Sequence, residues 1–237
     1  MSASQPLRDF YQVLFGRRDV RGQFLPDPVD PQALARILLA AHHAPSVGLS
    51  QPWNFILVRD PGVKARVHDA FNLAREQEAA QFDGERQAAY RELKLAGILD
   101  APINLCVTCD RERGGPVVLG RTRQPDTDLY STVCAVQNLW LAARAEGLGV
   151  GWVSIIDPAL LAAILELPDG VVPVAYLCLG HVAWFHDRPE LEVKGWERRL
   201  PLEELVFSDS WGRRDKAEPL LDALAALQGW PQLSDDP

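Results

Sequence analysis

The chain has 237 residues, which is enough for one large domain or two small ones. Its formal net charge of −8 argues against a general nucleic-acid binder and against a protein held at membrane surfaces by basic patches. No apolar signal segment occurs in the N-terminal MSASQPLRDF, and no run of residues reaches membrane-spanning length. Four cysteines in apolar surroundings suggest reduced thiols. These features predict a cytoplasmic protein that binds neither nucleic acid nor membranes.

An amphipathic helix is predicted at residues 5–16, directly before a cluster of arginines. Arg17, Arg18 and Arg21 fall within five residues of an otherwise acidic chain. Guanidinium groups bind phosphate through paired hydrogen bonds, so this cluster is either a phosphate site or a solvated basic turn. Asp19, inside the cluster, either neutralises an arginine or is a carboxylate held next to a bound ligand.

The next elements are a helix at residues 31–43, a loop rich in Pro, Ser and Gly at 44–53, and a strand at 54–59. The backbone amides of such a loop have no strand to pair with, and loops of this kind often carry binding groups. An ordinary helix-to-strand connection is the alternative interpretation.

Two charged amphipathic helices are predicted at residues 61–80 and 84–98. They either form a cover over a site or make a plain surface hairpin. A strand at 103–109 follows, and then a polar loop at 110–127, which by its length is functional or mobile.

Cys106 and Cys109 form a C-x-x-C motif within the predicted strand. Zinc would need two further ligands, and the sequence has no second cysteine pair or suitably spaced histidines. On a strand the two cysteines fall on opposite faces. We therefore predict no metal site.

The region around Val133–Ala145 is apolar on nearly every side, which predicts a helix buried inside the domain. Asp128 and Ser131 are candidates to cap its start, and Gly147 to end it. The run that follows, Trp152–Ile155, is typical of a buried strand. It contains one hydroxyl group, that of Ser154.

Glycines at 147, 149 and 151 separate this helix from the strand. They allow another backbone or a flat ligand to approach closely, or they only permit tight core packing. Later, a short helix is predicted at 158–165 and a fourth buried strand at 173–180. From residue 184 the chain lacks a core of its own beyond a short helix near 202–206, so it must lie against something else.

One kind of ligand would suit these features together. They are the arginines near both ends of the chain, the loop with Ser and Gln, and the glycines that allow a flat ligand to approach. Such a ligand would have a phosphate at one end and a large planar polar ring at the other, as flavin mononucleotide (FMN) has. The glycine-rich dinucleotide fingerprint and the Walker pattern are both absent.

The motifs resemble those of the nitroreductase-like flavoproteins over about residues 7–213. They are RRDVR at 17–21, APSVG at 44–48, QPWNF at 51–55, LKL at 93–95, CVTCDR at 106–111, YSTVCAVQNLW at 130–140 and GWVSI at 151–155. General nitroreductases usually carry serine where this chain has Asp19. Asp19 and Ser154 both match the branch of the family that destroys flavin.

This resemblance implies an α+β fold in which helices flank a mixed β-sheet. It implies a single FMN-binding domain over residues 1–237, with a lid hairpin at about 71–98 and a C-terminal arm at about 184–237. The arm would be exchanged in a homodimer that holds FMN at its interface.

The resemblance also implies the site residues. The catalytic pair is Asp19 and Ser154, and no residue is a metal ligand. The implied FMN-binding residues are Arg17, Arg18, Asp19, Val20, Arg21, Ser46, Gly48, Gln51, Gly97, Ser154 and Arg199. Glu197 stands where general nitroreductases have a basic residue, which weakens the match at Arg199.

The implied reaction uses reduced FMN as a substrate rather than a recycled cofactor. Dioxygen would cut it into 5,6-dimethylbenzimidazole, the lower ligand of cobalamin, and D-erythrose 4-phosphate. A separate flavin reductase would supply the reduced FMN. The alternatives are an NAD(P)H-dependent FMN nitroreductase, an enzyme of another reaction class and a non-catalytic FMN-binding protein. The presence of both Asp19 and Ser154 argues against an NAD(P)H-dependent nitroreductase. A non-catalytic FMN-binding protein would need neither residue.

Overall fold

A computed structural model describes residues 10–214 and 219–227 of the chain. Its helices and strands are α1 (Phe10–Gly16), α2 (Pro31–His42), β1 (Trp53–Val58), α3 (Pro61–Ala79), α4 (Gly84–Glu92), β2 (Ile103–Asp110), α5 (Thr127–Ala145), β3 (Gly149–Val153), α6 (Pro158–Ile164), β4 (Val171–Gly180), α7 (Glu190–Val193) and α8 (Pro219–Ala226). Short 3-10 helices occur at Val47–Leu49 and Leu202–Glu204. The four predicted strands are confirmed, with shifted ends. The start of the first predicted helix, residues 5–9, lies outside the described residues.

The sheet has the strand order β1-β2-β4-β3, and each neighbouring pair is antiparallel. The expectation of a mixed sheet is therefore corrected for these strands. Within the described residues, parallel pairing is confined to one bridge, between Asp19 and Val150 at the outer edge of β3. The segment that carries Asp19 adds no full strand because the chain bends at Arg21 and Gly22.

Alternation along the strands divides the core into two layers. Leu105 and Leu177 point to the face covered by α2 and α5, whereas Cys106, Tyr176 and Cys178 point to the face covered by α3 and α6. This period of two is the ordinary geometry of a strand, and both faces are apolar because helices cover both. The result is a helix–sheet–helix arrangement with α5 against the centre of the sheet.

The start of α5 differs from the prediction. The helix begins at Thr127, and its N-cap residue, Asp126, makes no side-chain capping bond. Ser131 Oγ instead donates to the Thr127 carbonyl at 2.5 Å, and the Asp128 carboxylate lies 3.1 Å from Arg111 Nε. The cap predicted at Ser131 is therefore wrong. Asp128, which is 1% exposed, does accept from a first-turn donor, the Leu129 N–H, at 2.7 Å, and its other oxygen faces Arg111 because a buried carboxylate requires a cationic partner.

The exposed side of α5 is a second correction. Tyr130, Val133, Cys134 and Gln137 are exposed along one stripe of the helix, so it is not buried all round within one protomer. The spacing of these residues is that of a single helix face. An apolar stripe of this kind is available for contact with another chain.

The turn after α5 ends the helix as predicted. Gly147 has φ of +77°, and the Leu148 N–H donates to the Ala143 carbonyl at 2.8 Å, which is the Schellman pattern. The strand that follows is displaced from its predicted position, since β3 ends at Val153. Ser154 therefore lies just past the strand rather than within it.

The second helix of the hairpin is shorter than predicted. It ends at Glu92, and Leu93 takes an extended conformation with φ of −69° and ψ of 131°. The chain then passes close to its own N-terminal region, because a Cβ on Gly97 would lie 2.6 Å from both the Arg21 carbonyl oxygen and the Phe24 ring. A continuing helix could not make this approach.

Two other expectations concern a membrane span and a metal site. In that part of the chain, no helix combines the length and the apolar character needed to span a bilayer. Nor does it bring three or more His, Cys, Asp or Glu side chains together as metal ligands.

Candidate active site

The arginine segment, residues 17–21, begins where α1 ends. Arg18 donates to the Phe15 and Arg17 carbonyls at 2.6 and 2.7 Å, and Arg144 Nε donates to the Gly16 carbonyl at 3.0 Å. The carbonyls at a helix C-terminus need partners, and cations suit that end of the helix dipole. Arg18 and Arg144 therefore hold the segment in place as well as supplying charge.

Arg17 is placed differently. Its guanidinium lies over the Trp140 ring at 4.5 Å from the ring centroid, and the Trp140 indole N–H donates to the Arg18 carbonyl at 3.2 Å. Within the described residues, no hydrogen bond or ion pair engages the Arg17 guanidinium. Its donors are therefore available for an anion.

Arg17, Arg18, Arg144 and Arg199 form what we call the arginine cluster. Burial is the main cause that lowers the pKa of Arg17, Arg18 and Arg144. Repulsion by Arg199 further lowers the pKa of Arg17 and Arg18, so the C-terminal arginine lies within electrostatic range of the first two. The Arg18 Nε is also buried without a hydrogen-bond partner. Phosphate oxygens would satisfy this donor and offset the repulsion.

Asp19 is fixed by contacts on both carboxylate oxygens. Its Oδ2 accepts from Arg21 Nε at 2.8 Å and lies 2.6 Å from a terminal nitrogen of that guanidinium. Its Oδ1 accepts from the Trp152 backbone N–H at 2.9 Å. The structure thus shows that Asp19 neutralises Arg21, which is compatible with a carboxylate held next to a ligand. Arg21 holds Asp19 in position, which leaves fewer of its donors for a phosphate.

Glycines allow the arginine segment to pack closely on the strand and on the end of the hairpin. A Cβ on Gly151 would lie 2.0 Å from the Val20 carbonyl oxygen, and one on Gly97 would meet the Arg21 carbonyl oxygen. At Gly151 the group that approaches is therefore a backbone, one of the two possibilities for these glycines. Gly97 is required for the same reason.

The predicted binding loop at residues 44–53 is held by its own polar contacts. Ser46 Oγ accepts from the Gln51 N–H at 3.1 Å, and Arg113 donates to the Gln51 carbonyl at 2.8 Å. Gly48 and Gln51 have φ values of +54° and +47°. A Cβ on Gly48 would also lie 2.7 Å from the Val118 side chain. The loop is thus rigidly built, and Gly48 itself is exposed.

Helix α5 contacts the binding loop and the arginine segment at two different positions along its axis. The Val47 N–H donates to Ser131 Oγ at 3.0 Å, whereas Trp140 contacts Arg17. Nine residues of α-helix rise about 13–14 Å. Within the described residues, no hydrogen bond or ion pair links Ser46, Gly48 or Gln51 to the arginine segment. One protomer therefore presents these two parts of the predicted site separately.

Ser154 is exposed and lies at the end of β3. It lines a cavity of about 210 Å³ whose other walls are mainly apolar, including Trp152, Leu161 and Tyr176. Within the described part of the chain its hydroxyl makes no hydrogen bond. The hydroxyl is thus free to contact a ligand.

Comparison with known proteins decides the family. The model of the nitroreductase family matches residues 14–181. This chain belongs to the nitroreductase family. A 5,6-dimethylbenzimidazole synthase of Rhodospirillum rubrum is 46% identical over 195 residues, covering 82% of this chain and 92% of the relative. One of Rhodobacter capsulatus is 41% identical over 215 residues, covering 90% and 100%.

Solved structures agree with the architecture, among them that of a nitroreductase family protein from Clostridium difficile 630, with a TM-score of 0.63 at 21% identity over 85% of this chain and 99% of that chain. The crystal structure of oxidised iodotyrosine deiodinase bound to FMN and 3-iodo-L-tyrosine superposes with a TM-score of 0.64. It covers 75% of this chain and 92% of that chain at 20% identity. At that identity the likeness shows the fold, and the nitroreductase-like fold expected from the sequence is confirmed.

The cysteines of this nitroreductase-family chain contribute no reactive thiolate at the C-x-x-C motif. Burial raises the pKa of the Cys106 thiol to about 12 and also raises that of Cys109. Protonated thiols buried in a core are poor nucleophiles and poor metal ligands.

Some residues that build the candidate site were missed by sequence reasoning. They are Trp140, Arg144, Arg113 and the Trp152 backbone N–H. The available signal was weak: Arg144 is one of few strongly polar residues in an apolar helix. A polar cavity of about 320 Å³ beside the binding loop was also missed, with Arg111, Arg121 and buried Asp128 in its wall.

Proposed function

We propose that this protein acts as a 5,6-dimethylbenzimidazole synthase, which uses dioxygen to fragment reduced FMN into 5,6-dimethylbenzimidazole and D-erythrose 4-phosphate. Relatives with that name are 46% and 41% identical over most of the chain. The structural observation that carries the proposal is the Asp19 carboxylate, fixed by Arg21 and Trp152 next to an arginine cluster.

The residues present fit a phosphorylated flavin. Within the described residues, the Arg17 guanidinium has donors without partners, and the buried Nε–H of Arg18 is unpaired. The positive charge of Arg199 acts on both of these arginines. We assign the phosphate to these three arginines. Ser46, Gly48 and Gln51 would meet the edges of the flavin ring, because their loop offers backbone and side-chain polar groups at the surface.

Reduced FMN would supply the electrons for dioxygen as well as the carbon atoms of the product. The chain supplies proton transfer and position. Asp19 is the proposed general base, since its carboxylate lies beside the phosphate-binding arginines and hence near the sugar chain. A positioned base contributes about 10²–10⁴-fold in rate.

Ser154 has a different proposed role. Its hydroxyl has no hydrogen-bonded histidine, which a serine nucleophile would need. It would instead orient the oxygen-reacting face of the ligand or relay a proton. Its exposure at the end of β3 leaves it free to do so.

We further propose one domain over residues 1–237, an α3–α4 lid within residues 71–98, and a homodimer. In that dimer the arm at 184–237, whose first part packs on its own protomer, would extend onto the partner. The exposed stripe of α5 supports the homodimer, as do exposed apolar side chains of the arm, among them Leu200, Leu202, Leu205 and Trp211. The separation of the binding loop from the arginine segment within one protomer supports a site completed by a second copy. The lid would exclude water from the reaction.

The decisive experiment mixes the protein with FMN, reduces the flavin without oxygen and then admits air. We expect flavin absorbance to be lost permanently while 5,6-dimethylbenzimidazole and erythrose 4-phosphate appear by mass spectrometry. Full return of oxidised FMN with hydrogen peroxide would instead indicate an oxidase or a carrier. Rapid NAD(P)H-dependent reduction of a nitroaromatic compound, without benzimidazole, would favour the nitroreductase alternative.

A further inference from the structure

Residues 184–199, which we call the strap, contact two distant parts of the same protomer. At their first end they lie on the arginine cluster. Arg18 donates to the Asp187 carbonyl, and the Arg144 guanidinium lies over the Phe185 ring at 3.8 Å. Gln23 Nε2 and His186 Nε2 are 3.0 Å apart and share a hydrogen bond.

The other contact of the strap is with the tip of the α3–α4 hairpin, residues 79–92. The Trp196 ring meets Phe82 edge-on at 5.3 Å and lies 6.0 Å from Tyr90. The Arg86 guanidinium stacks over Trp196 at 4.3 Å. Aromatic pairs and cation–π contacts of this kind are attractive, so Trp196 and the tip stabilise each other.

These contacts supply the aromatic packing of the tip. Its other contacts are mainly polar: Gln87 donates to the Ala79 carbonyl, Arg75 donates to the Arg91 carbonyl, and Arg91 pairs with Glu76. Tyr90 is the one residue of α4 that is buried, at 2% exposure. Trp196 and Phe82 are the rings that lie against it. Segments with few buried contacts open readily, so the position of the tip depends on whether Trp196 stays in place.

The strap then returns to the arginine cluster. Arg199 is three residues after Trp196, and its charge acts on both Arg17 and Arg18. Without an anion these guanidinium groups repel one another. A phosphate between them turns that repulsion into attraction and holds Arg199 in place.

We propose that Trp196 is a positioning residue through which the strap couples phosphate binding at the arginine cluster to closure of the α3–α4 hairpin. The inference rests on the proposed function, because it takes the phosphate to be that of FMN. A flavin without a phosphate should bind without fixing Arg199 and should therefore leave the hairpin tip less protected.

Hydrogen exchange of the full chain tests this coupling. Peptides covering residues 79–92 would be followed with no ligand, with FMN, with riboflavin and with inorganic phosphate, each flavin at the same fractional saturation. We expect FMN to slow exchange of the tip at least about fivefold more than riboflavin does, in the usual range of coupling between sites. Inorganic phosphate alone should reproduce part of the slowing.

Variants separate coupling from simple loss of packing. Trp196→Ala should abolish the difference between FMN and riboflavin, and Trp196→Phe should restore part of it. Arg199→Ala leaves the aromatic contacts intact, so ligand-free exchange should not change, whereas the FMN-specific slowing should be lost. Trp184→Ala is the matched control: Trp184 is 58% exposed on the same strap, and within the described residues its ring makes no aromatic or cation–π contact with the tip.

Equal protection by FMN and riboflavin in the wild type would overturn the proposal, as would FMN-specific slowing that survives in Trp196→Ala. The test is independent of catalysis. If FMN protects the tip but is recovered intact after reduction and exposure to air, the proposed reaction fails and the coupling stands. If benzimidazole forms but FMN and riboflavin protect the tip equally, the proposed reaction stands and the coupling fails.

Discussion

The carboxylate of Asp19 accepts a hydrogen bond of 2.9 Å from the backbone N–H of Trp152, two residues before Ser154. Because the donor belongs to the backbone of β3, the sheet itself sets the position of this carboxylate. The two residues proposed for catalysis are thereby attached to the same strand end, although they are 135 positions apart in the chain. Proton-transfer groups need such fixed placement.

Asp19→Asn should separate binding from chemistry. Asparagine keeps an acceptor for Trp152 but loses the negative charge that pairs with Arg21. We expect FMN affinity to change by less than about tenfold and the rate of benzimidazole formation to fall by about 10²–10⁴-fold. Calorimetric titration and product mass spectrometry measure the two effects. Unchanged product formation would exclude Asp19 as the base.

Ser154→Ala should leave the fold intact, because Ser154 is exposed and makes no hydrogen bond within the described residues. We expect the free energy of unfolding to change by no more than about 0.5 kcal/mol. Product formation should nevertheless fall, with more hydrogen peroxide released per FMN consumed. Ser154→Thr keeps a hydroxyl and should retain part of the activity; an alanine variant with wild-type yield would remove Ser154 from the mechanism.

Arg17→Ala should weaken FMN binding more than riboflavin binding. Charge-assisted hydrogen bonds contribute about 1.5–3 kcal/mol, so the dissociation constant for FMN should rise about 10- to 100-fold. Arg198→Ala is a matched control, since it removes one exposed positive charge next to Arg199. Equal losses for both flavins in a fluorescence titration would show that Arg17 does not hold the phosphate.

Gly151→Ala should destabilise the protein, because its methyl group would lie 2.0 Å from the Val20 carbonyl oxygen. Backbone cannot move aside as a flexible side chain can, and overpacking typically costs about 1–3 kcal/mol. Gly22→Ala is the control, since its methyl group would lie 3.4 Å from Lys94 Cγ, in ordinary contact. Urea denaturation compares them, and similar midpoints for the two variants would contradict the close approach.

Val133→Asp should disrupt the proposed homodimer. Val133 is 42% exposed on the apolar stripe of α5, and a charge buried there without a partner would be costly. We expect a dimer for the wild type and a monomer for the variant in light scattering at micromolar concentration. Leu73→Asp, at an exposed leucine of α3, is the control and should remain dimeric. A compact wild-type monomer would rule out the obligate dimer.

Local pattern was enough for much of the architecture. The four strands are mainly apolar runs that contain β-branched or aromatic residues, and their identity does not depend on which strand pairs with which. The end of α5 was equally clear, because Gly147 adopts a φ that other residues avoid. At the start of α5 the cap at Ser131 was misjudged: serine has the residue type of a cap, but its hydroxyl donates back to the Thr127 carbonyl within the helix.

The sequence by itself determined the chemistry available at the candidate site: three arginines with one aspartate in five residues, a Ser/Gly/Gln loop and a serine on a predicted buried strand. Only the tertiary structure decided how these groups are used. It placed Arg144 at the start of the arginine segment, paired Arg21 with Asp19, and brought the Val20 carbonyl onto Gly151. The reason is physical. Residue type and spacing fix which local bonds a segment can make, whereas the partners of a charge depend on which distant segments the core brings into contact.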